Sequence, residues 1–194
     1  MKKISVFFLF VAALSFLLFS FEKDKKIIVI DAAHGGSDNG AVYGNIKEKD
    51  ITQNIANLIK KNNSDSDVEI VFTRNDDEQI SLLERTTLIN ALKPSMVISL
   101  HANFSPKKPE KSGVEIYPQD NEISKNLAQK LSSKFENSRV IDGESFHILR
   151  HSEVPAVLLE LGFISNEKDR GYLNSEEGQA EISKKILDFI SDYR

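Results

Sequence analysis

The sequence predicts an α/β fold in which a layered, mostly parallel β-sheet is flanked by helices. Short apolar runs alternate along the chain with amphipathic segments, as is typical of a parallel sheet with helices on its faces. Hydrophobic residues make up 40% of the chain and charged residues 28%, which suits a packed core beneath a solvated surface. No linker, repeat or low-complexity tract interrupts residues 26–194, so we expect this stretch to form one domain.

The N-terminus has the layout of a secretory signal. Lys2 and Lys3 precede an apolar run from Ile4 to Phe21, after which charged residues follow. We predict that residues 1–25 direct export to the periplasm or the cell exterior, and that their cleavage leaves no integral membrane segment. An uncleaved anchor is the alternative, because the apolar run approaches the length that spans a bilayer.

The first half of the domain is predicted to alternate between strands and helices. Residues 27–30 are a short apolar run typical of a buried strand, and residues 50–61 carry apolar side chains at helical spacing. Residues 68–73 again indicate a strand. The sequence Ser-Leu-Leu-Glu begins a helix over residues 81–92 with the pattern of a capping box. Residues 96–100 indicate the third strand.

The second half continues the alternation. Residues 114–117 favour a strand and residues 123–135 a helix. Residues 154–159 are apolar and partly β-branched, as expected of a buried strand. A last helix over residues 176–192 places its isoleucines and a leucine on one face.

Composition excludes several classes of function. The formal net charge is −4 and basic residues form no cluster, so we predict that the chain does not bind nucleic acid. There are no cysteines, which excludes disulfides and thiolate catalysis. Any metal ion must therefore be held by histidines and carboxylates.

Three predicted strands deliver polar side chains to the same edge of the sheet. Asp31 ends the first strand with His34 just beyond it, His101 ends the third, and Glu160 follows the run 154–159. Ligands of open α/β sheets bind outside the carboxyl ends of the strands. The convergence therefore predicts a functional site at this edge.

Two histidines and a glutamate are a known ligand set for catalytic zinc, which lowers the pKa of water to about 7. His34, Glu48 and His101 would be the ligands, and Glu160 the carboxylate that accepts a proton. Taken alone, His34 beside two glycines is typical of a turn, and Glu48 of a solvated charge run. No HExxH motif occurs, so the helix-borne site of common metalloproteases is not expected.

A series of ordered motifs resembles one family. They are IVIDAAHGGSDNG, KEKDIT, FTRNDD with SLLER, VISLHANFS, GVEIY, ILR and PAVLLELGFISN. The chain resembles the zinc-dependent N-acetylmuramoyl-L-alanine amidases, the amidase_3 family of cell-wall hydrolases, over nearly its whole length after residue 28. The resemblance implies a phosphorylase/hydrolase-like fold and one zinc ion held by His34, Glu48 and His101. It also implies that Glu160 is the catalytic carboxylate.

The implied activity is hydrolysis of the amide between N-acetylmuramic acid and L-alanine in peptidoglycan. A zinc peptidase that cuts within the stem peptide, and a non-catalytic peptidoglycan-binding protein, are the alternatives. At the implied rim of the site, Arg150 is a candidate contact for a substrate carboxylate and Asn103 a further candidate for substrate binding. The sequence leaves open whether a protein activator is required.

Overall fold

Strands and helices alternate along residues 25–143 and 145–193, the part of the chain described by this structure, which is a computed structural model. The strands are β1 (Lys26–Ala32), β2 (Val42–Tyr43), β3 (Ile46–Lys47), β4 (Val68–Phe72), β5 (Met96–Asn103), β6 (Glu115–Pro118), β7 (Arg139–Val140) and β8 (Ala156–Phe163). The helices are α1 (Glu48–Asn62), α2 (Leu82–Leu92), α3 (Glu122–Ser132), α4 (His147–His151), α5 (Glu167–Leu173) and α6 (Glu176–Asp192). Apart from residue 25, the predicted signal segment lies outside the described residues. None of the helices described is long and apolar enough to cross a membrane.

Six strands form the central sheet in the order β4-β1-β5-β8-β6-β7. The strands β4, β1, β5 and β8 are parallel, whereas β6 runs antiparallel to β8 and carries β7 beside it. Residues 104–114 contain no crossover helix, which a parallel connection usually requires, so the chain returns in the opposite direction. The predicted α/β class and mostly parallel sheet are confirmed, with a reversed pair at one edge.

Alternation along the strands divides the core between the two faces of the sheet. Ile28 and Ile30 in β1 pack in the larger cluster with α1, α3 and α6, whereas Val29 packs in a smaller cluster with α2 and α4. The helix α4 has only five residues, so this second layer is thin. The predicted site residues His101 and Glu160 alternate with the larger cluster and lie on the thinly covered face.

Two strands extend further than predicted. His101 and Glu160 were expected to end their strands, and this is wrong: β5 continues to Asn103 and β8 to Phe163. The two strands remain paired beyond His101 and Glu160. After a shift in register, Asn103 aligns with Phe163. Both functional side chains therefore stand on paired backbone within the sheet.

The start of α2 confirms the capping box. The Ser81 hydroxyl accepts from the Glu84 amide at 3.2 Å, and the Glu84 carboxylate accepts from the Ser81 amide at 2.8 Å. These reciprocal bonds satisfy two amides that the helix itself leaves unpaired. They fix the end of α2 that faces the cavity described below.

Candidate metal centre

His34 lies in the loop that follows β1, with its backbone in the left-handed region at a φ of 61°. Its ring lies between two carboxylates, with Nδ1 2.8 Å from Asp38 and Nε2 3.1 Å from Glu48. Burial lowers the pKa of His34, but the hydrogen bonds and charges of Glu48 and Asp38 outweigh it and raise this pKa to about 9. Without a metal ion the ring therefore holds a proton at neutral pH, which a bound cation would have to displace.

Glu48 is the first residue of α1, and only 5% of it is exposed. One carboxylate oxygen accepts from the Ala102 amide and lies 3.0 Å from His101 Nδ1. The other accepts from the Ala41 amide at 2.8 Å and lies 3.1 Å from His34 Nε2. Burial alone would raise the pKa of Glu48, but both histidines outweigh it and hold this pKa far below its usual range. The helix N-terminus also favours a negative charge here.

The three predicted ligands meet in one cluster. His101 projects from β5, and its ring meets that of His34 edge-on with centroids 5.4 Å apart. One ligand atom from each of His34, Glu48 and His101 lies within 4.8 Å of the other two. Two imidazoles and a carboxylate suit zinc, so the residues present fit the metal that the resemblance implies.

Glu160 lies beside this cluster on the neighbouring strand. It aligns with His101 on β5 and with Glu115 on β6, so the three side chains share one face of the sheet. Only 9% of Glu160 is exposed, and its Oε2 is buried without a hydrogen-bond partner among the described residues. Burial raises the pKa of Glu160 to about 7, and the carboxylates of Glu48 and Glu115 act in the same direction. A carboxyl group that exchanges its proton near neutral pH is suited to acid–base catalysis.

A buried ion pair supports the loop that carries His34. The Arg85 guanidinium donates to the Asp31 carboxylate at 2.8 Å and also to the backbone carbonyl of His34. Arg74 donates to the carbonyls of Ala32 and Ala33 at 2.9 and 3.0 Å. Asp31 accepts further hydrogen bonds from the hydroxyls of Thr73 and Ser99. Two arginines thus bind the backbone on both sides of the strand end and fix the position of His34.

A cavity of about 390 Å³ opens beside the two histidines. Apolar side chains form much of its wall, namely Ile80, Leu82, Phe146 and Ile148. His147 also lines the cavity, and its Nε2 is buried with no partner among the described residues. Arg85 is the arginine in the lining, and Asp31 neutralises it. The cavity therefore suits a neutral group better than an anion.

The two candidates for substrate binding, Asn103 and Arg150, occupy different positions. The Asn103 amide donates to Glu115 at 2.9 Å, and its oxygen accepts from the Phe104 amide, so the side chain is engaged within the protein. Arg150 is exposed on α4 and is not among the residues that line the cavity, although His147 and Ile148 of the same helix are. Their roles in substrate binding stay predictions.

Sequence reasoning missed two carboxylates of the site. Asp38, in the GGSDNG turn, accepts the hydrogen bond from His34. Glu115 is 6% exposed and receives hydrogen bonds from Asn103, Tyr117 and Arg139. A charged residue inside the otherwise apolar run 114–117 was the signal that could have identified Glu115.

Comparisons with known proteins agree on one family. Residues 28–192 match the family model Amidase_3, described as N-acetylmuramoyl-L-alanine amidase. The chain is 33% identical over 176 residues to the uncharacterized protein YqiI of Bacillus subtilis, covering 87% of this chain and 84% of that protein. It is 31% identical over 176 residues to the probable cell wall amidase LytH of Staphylococcus epidermidis, again over 87% of this chain, and spans 58% of that protein's length.

A solved structure of similar fold comes from the same group of proteins. The catalytic domain of CwlV, an N-acetylmuramoyl-L-alanine amidase from Bacillus (Paenibacillus) polymyxa var. colistinus, superposes with a TM-score of 0.81 at 34% identity. The superposition covers 87% of this chain and 97% of that domain.

Proposed function

We propose that this chain, which belongs to the Amidase_3 family of N-acetylmuramoyl-L-alanine amidases, hydrolyses the amide between N-acetylmuramic acid and the L-alanine of the stem peptide with the help of one zinc ion. Its membership rests on a match over residues 28–192 and on the relatives at 31–34% identity. It confirms the prediction that the chain is a peptidoglycan amidase. The proposal adds three points to family membership: that the metal is zinc, that the bond cleaved is the amide to L-alanine, and which residues take part.

One observation carries the proposal. Two imidazoles and a buried carboxylate, from His34, His101 and Glu48, offer their ligand atoms within 4.8 Å of one another. The unpartnered carboxyl of Glu160 lies on the adjacent strand, in register with His101. A ligand set for zinc and a separate acid–base group therefore stand side by side, as metal-assisted amide hydrolysis requires.

The ligand cluster is held in place before any metal binds. Both oxygens of Glu48 accept backbone amides, from Ala102 and Ala41, so the carboxylate cannot rotate away from the two rings. Asp38 accepts from His34 Nδ1, which fixes the tautomer that leaves Nε2 directed at the cluster. When bound, zinc supplies Lewis acidity toward the scissile carbonyl and lowers the pKa of the attacking water.

Glu160 carries the proton through the reaction. As a carboxylate it accepts a proton from the attacking water, and as the resulting acid it donates that proton to the amine of L-alanine as the C–N bond breaks. The pKa of about 7 that burial gives Glu160 makes both transfers possible near neutral pH. Glu115 accepts hydrogen bonds from Tyr117 and Arg139, and its carboxylate adds to the effect of burial on the pKa of Glu160.

The relatives also support a location outside the cytoplasm. LytH is named a probable cell wall amidase, and peptidoglycan lies outside the cytoplasmic membrane. We infer that residues 1–25 export the chain and that residues 26–194 act as the catalytic domain in the periplasm or the cell wall. Mass spectrometry of the protein recovered from the cell envelope tests this, because the mature N-terminus distinguishes cleavage from an anchor.

The first experiment incubates the purified protein with peptidoglycan, with added zinc or with a chelator, and identifies the released material by mass spectrometry. The expected products are free stem peptides that begin with L-alanine, lost with the chelator and lost in Glu160→Gln. Fragments cut within the peptide would mean that the chain is a zinc peptidase. Binding to peptidoglycan without any product at saturating zinc would overturn the proposal in favour of a wall-binding role.

A further inference from the structure

Arg170 and Tyr43 form a stacked pair at the surface of the protein. The guanidinium of Arg170, on α5, lies 4.0 Å from the centroid of the Tyr43 ring on β2. One of its nitrogens also donates to the carbonyls of Ile164 and Ser165 at 3.0 and 3.4 Å. Stacking and these two bonds hold the planar group in one orientation, so a ligand that binds it meets a guanidinium that is already ordered.

Arg170 differs from two arginines that are paired with carboxylates near the site. Arg85 is paired with Asp31 at 2.8 Å and Arg139 with Glu115 at 3.0 Å. Within residues 25–143 and 145–193, no carboxylate oxygen lies within 4.0 Å of a side-chain nitrogen of Arg170. Its remaining N–H groups are therefore available to an anion.

The pair lines an open groove. Asn166, whose side-chain amide donates to the Pro109 carbonyl, and Lys168 also line this groove, as do Glu110 and Glu167. The two acidic side chains are exposed, and neither forms an ion pair with Arg170 in the described part of the chain. Arg170 thus lines an open groove without an ion-pair partner among the described residues.

The groove lies close to the metal ligands. The Ala41 amide binds the Glu48 carboxylate at 2.8 Å, and Tyr43 follows two residues later in the chain. Because two residues span at most about 7 Å, the Tyr43 backbone lies within roughly 12 Å of that carboxylate. Ser165, which also lines the groove, lies two residues beyond the end of β8 at Phe163. An extended peptide advances about 3.4 Å per residue, so a substrate whose amide lies at the metal centre spans a distance of roughly 12 Å with its third or fourth residue.

The charge of Arg170 favours the peptide side of the substrate over the sugar side. The cavity beside Phe146 has mostly apolar walls, and its arginine is already paired with Asp31. N-acetylated sugars are neutral, and the lactyl carboxyl of muramic acid is consumed in the scissile amide. Free carboxylates lie only on the peptide side of that amide, at the second residue and beyond. The unpaired guanidinium complements the peptide side.

We propose that Arg170, stacked on Tyr43, forms a subsite that binds a free carboxylate of the stem peptide. The inference rests on the proposed function and adds the direction in which the substrate lies, with the peptide running toward the β2–β3 hairpin and α5. Arg170 binds the carboxylate through its free N–H groups, and Tyr43 is a positioning residue that holds the guanidinium.

The test compares two soluble substrates, a muramoyl tripeptide with free carboxylates and the same compound with those carboxylates amidated. For the unaltered protein, amidation is expected to raise KM about 5- to 20-fold, the contribution of charge-assisted hydrogen bonds at a partly exposed site, with kcat changed by less than about twofold. Arg170→Gln should raise KM for the free acid by the same factor and no longer distinguish the two substrates. Tyr43→Phe should behave like the unaltered protein, and Tyr43→Ala should raise KM several-fold.

Lys184→Gln is the matched control, because it removes one positive charge from an exposed position on α6. It should keep the preference for the free acid. Equal KM values for both substrates in the unaltered protein, or a full preference in Arg170→Gln, would overturn the subsite. The first of these results needs no variant, so the unaltered protein alone can refute the inference even if Arg170→Gln does not fold.

Failure of the proposed function gives a different result. If the unaltered protein releases no peptide from either substrate, the amidase mechanism is wrong. The subsite is then tested by measuring the affinity of the protein for the two peptides. Calorimetric titration with the free tripeptide and with its amidated form is then expected to show weaker binding of the amidated form, and Arg170→Gln should remove the difference. Equal affinity of both peptides for the unaltered protein would refute the subsite independently of catalysis.

Discussion

Two glycines in the same loop region provide a direct test of the metal centre. Gly40 and Gly44 have nearly the same left-handed backbone, with φ values of 63° and 61°. A Cβ on Gly40 would lie 2.5 Å from the Glu48 carboxylate and 2.6 Å from the His34 ring, whereas a Cβ on Gly44 would meet nothing within 4 Å. Alanine therefore costs about 1 kcal/mol in backbone strain at either position, and only Gly40→Ala also displaces the proposed ligands.

The size of the displacement sets the expected effect. Real Cβ atoms rarely approach other atoms closer than 3.0–3.4 Å, so the Glu48 oxygen must move about 0.5–0.9 Å from its position. Its amide partners Ala41 and Ala102 resist this movement. Metal–ligand distances hold within about 0.2 Å, so the shift exceeds what a zinc site tolerates. We expect Gly40→Ala to lower zinc affinity about 10- to 100-fold, as disturbed support of a ligand does.

Competition titration against a chromophoric chelator measures the affinity of both variants, and urea unfolding without metal measures their stability. Gly44→Ala is expected to bind zinc like the unaltered protein and to share the loss of stability of about 1 kcal/mol. A zinc affinity of Gly40→Ala equal to that of the unaltered protein would refute the assignment of His34 and Glu48 as ligands. A loss of affinity in both would mean that the strained backbone, and not the contact, decides metal binding.

Three further predictions follow from the buried charges. Asp31→Asn is expected to lower the free energy of unfolding by about 3–5 kcal/mol, because the buried Arg85 loses its counter-charge. Asp120→Asn at an exposed ion pair should leave the urea midpoint unchanged, and equal losses would contradict the argument. Glu160→Gln is expected to lower kcat about 10²- to 10⁴-fold while the protein keeps its zinc, and loss of the metal in elemental analysis would instead make Glu160 a ligand. Because the pKa of His34 is raised to about 9 without metal, zinc must displace a proton below that pH. Its affinity should therefore rise up to about tenfold per pH unit from about pH 6 to 9, and a flat profile in chelator titrations would exclude this.

The local pattern of the sequence was sufficient for the elements and the family. Short apolar runs predicted the strands 27–30 and 96–100, and a capping box predicted the start of the helix 81–92. Bounds were less accurate: α1 begins at Glu48 and not at residue 50, and β8 continues past Glu160. The ends of these elements depend on pairing with distant strands, which no local pattern contains.

The local sequence around Glu48 did not identify this residue as a candidate ligand. Its neighbours Lys47, Lys49 and Asp50 make it look like part of a solvated charge run, and only the resemblance to a family singled it out. In the structure it is buried because the first turn of α1 meets the end of β5, where the amide of Ala102 and the ring of His101 reach it. A contact between residues 53 positions apart leaves no trace in either local sequence.

By itself the sequence determined which side chains are chemically able to act. Without cysteine, a metal ion can be held only by histidines and carboxylates, and the sequence supplies them as His34, Glu48, His101 and Glu160. Only the tertiary structure decided the pKa and the orientation of these side chains. The antiparallel return of β6 places Glu115 beside Glu160, and this neighbour together with burial raises the pKa of Glu160. Folding likewise stacks Arg170 on a tyrosine 127 positions earlier in the chain. The pKa and the orientation of a side chain depend on the dielectric and the charges within a few ångströms of it, and those neighbours come from distant parts of the chain.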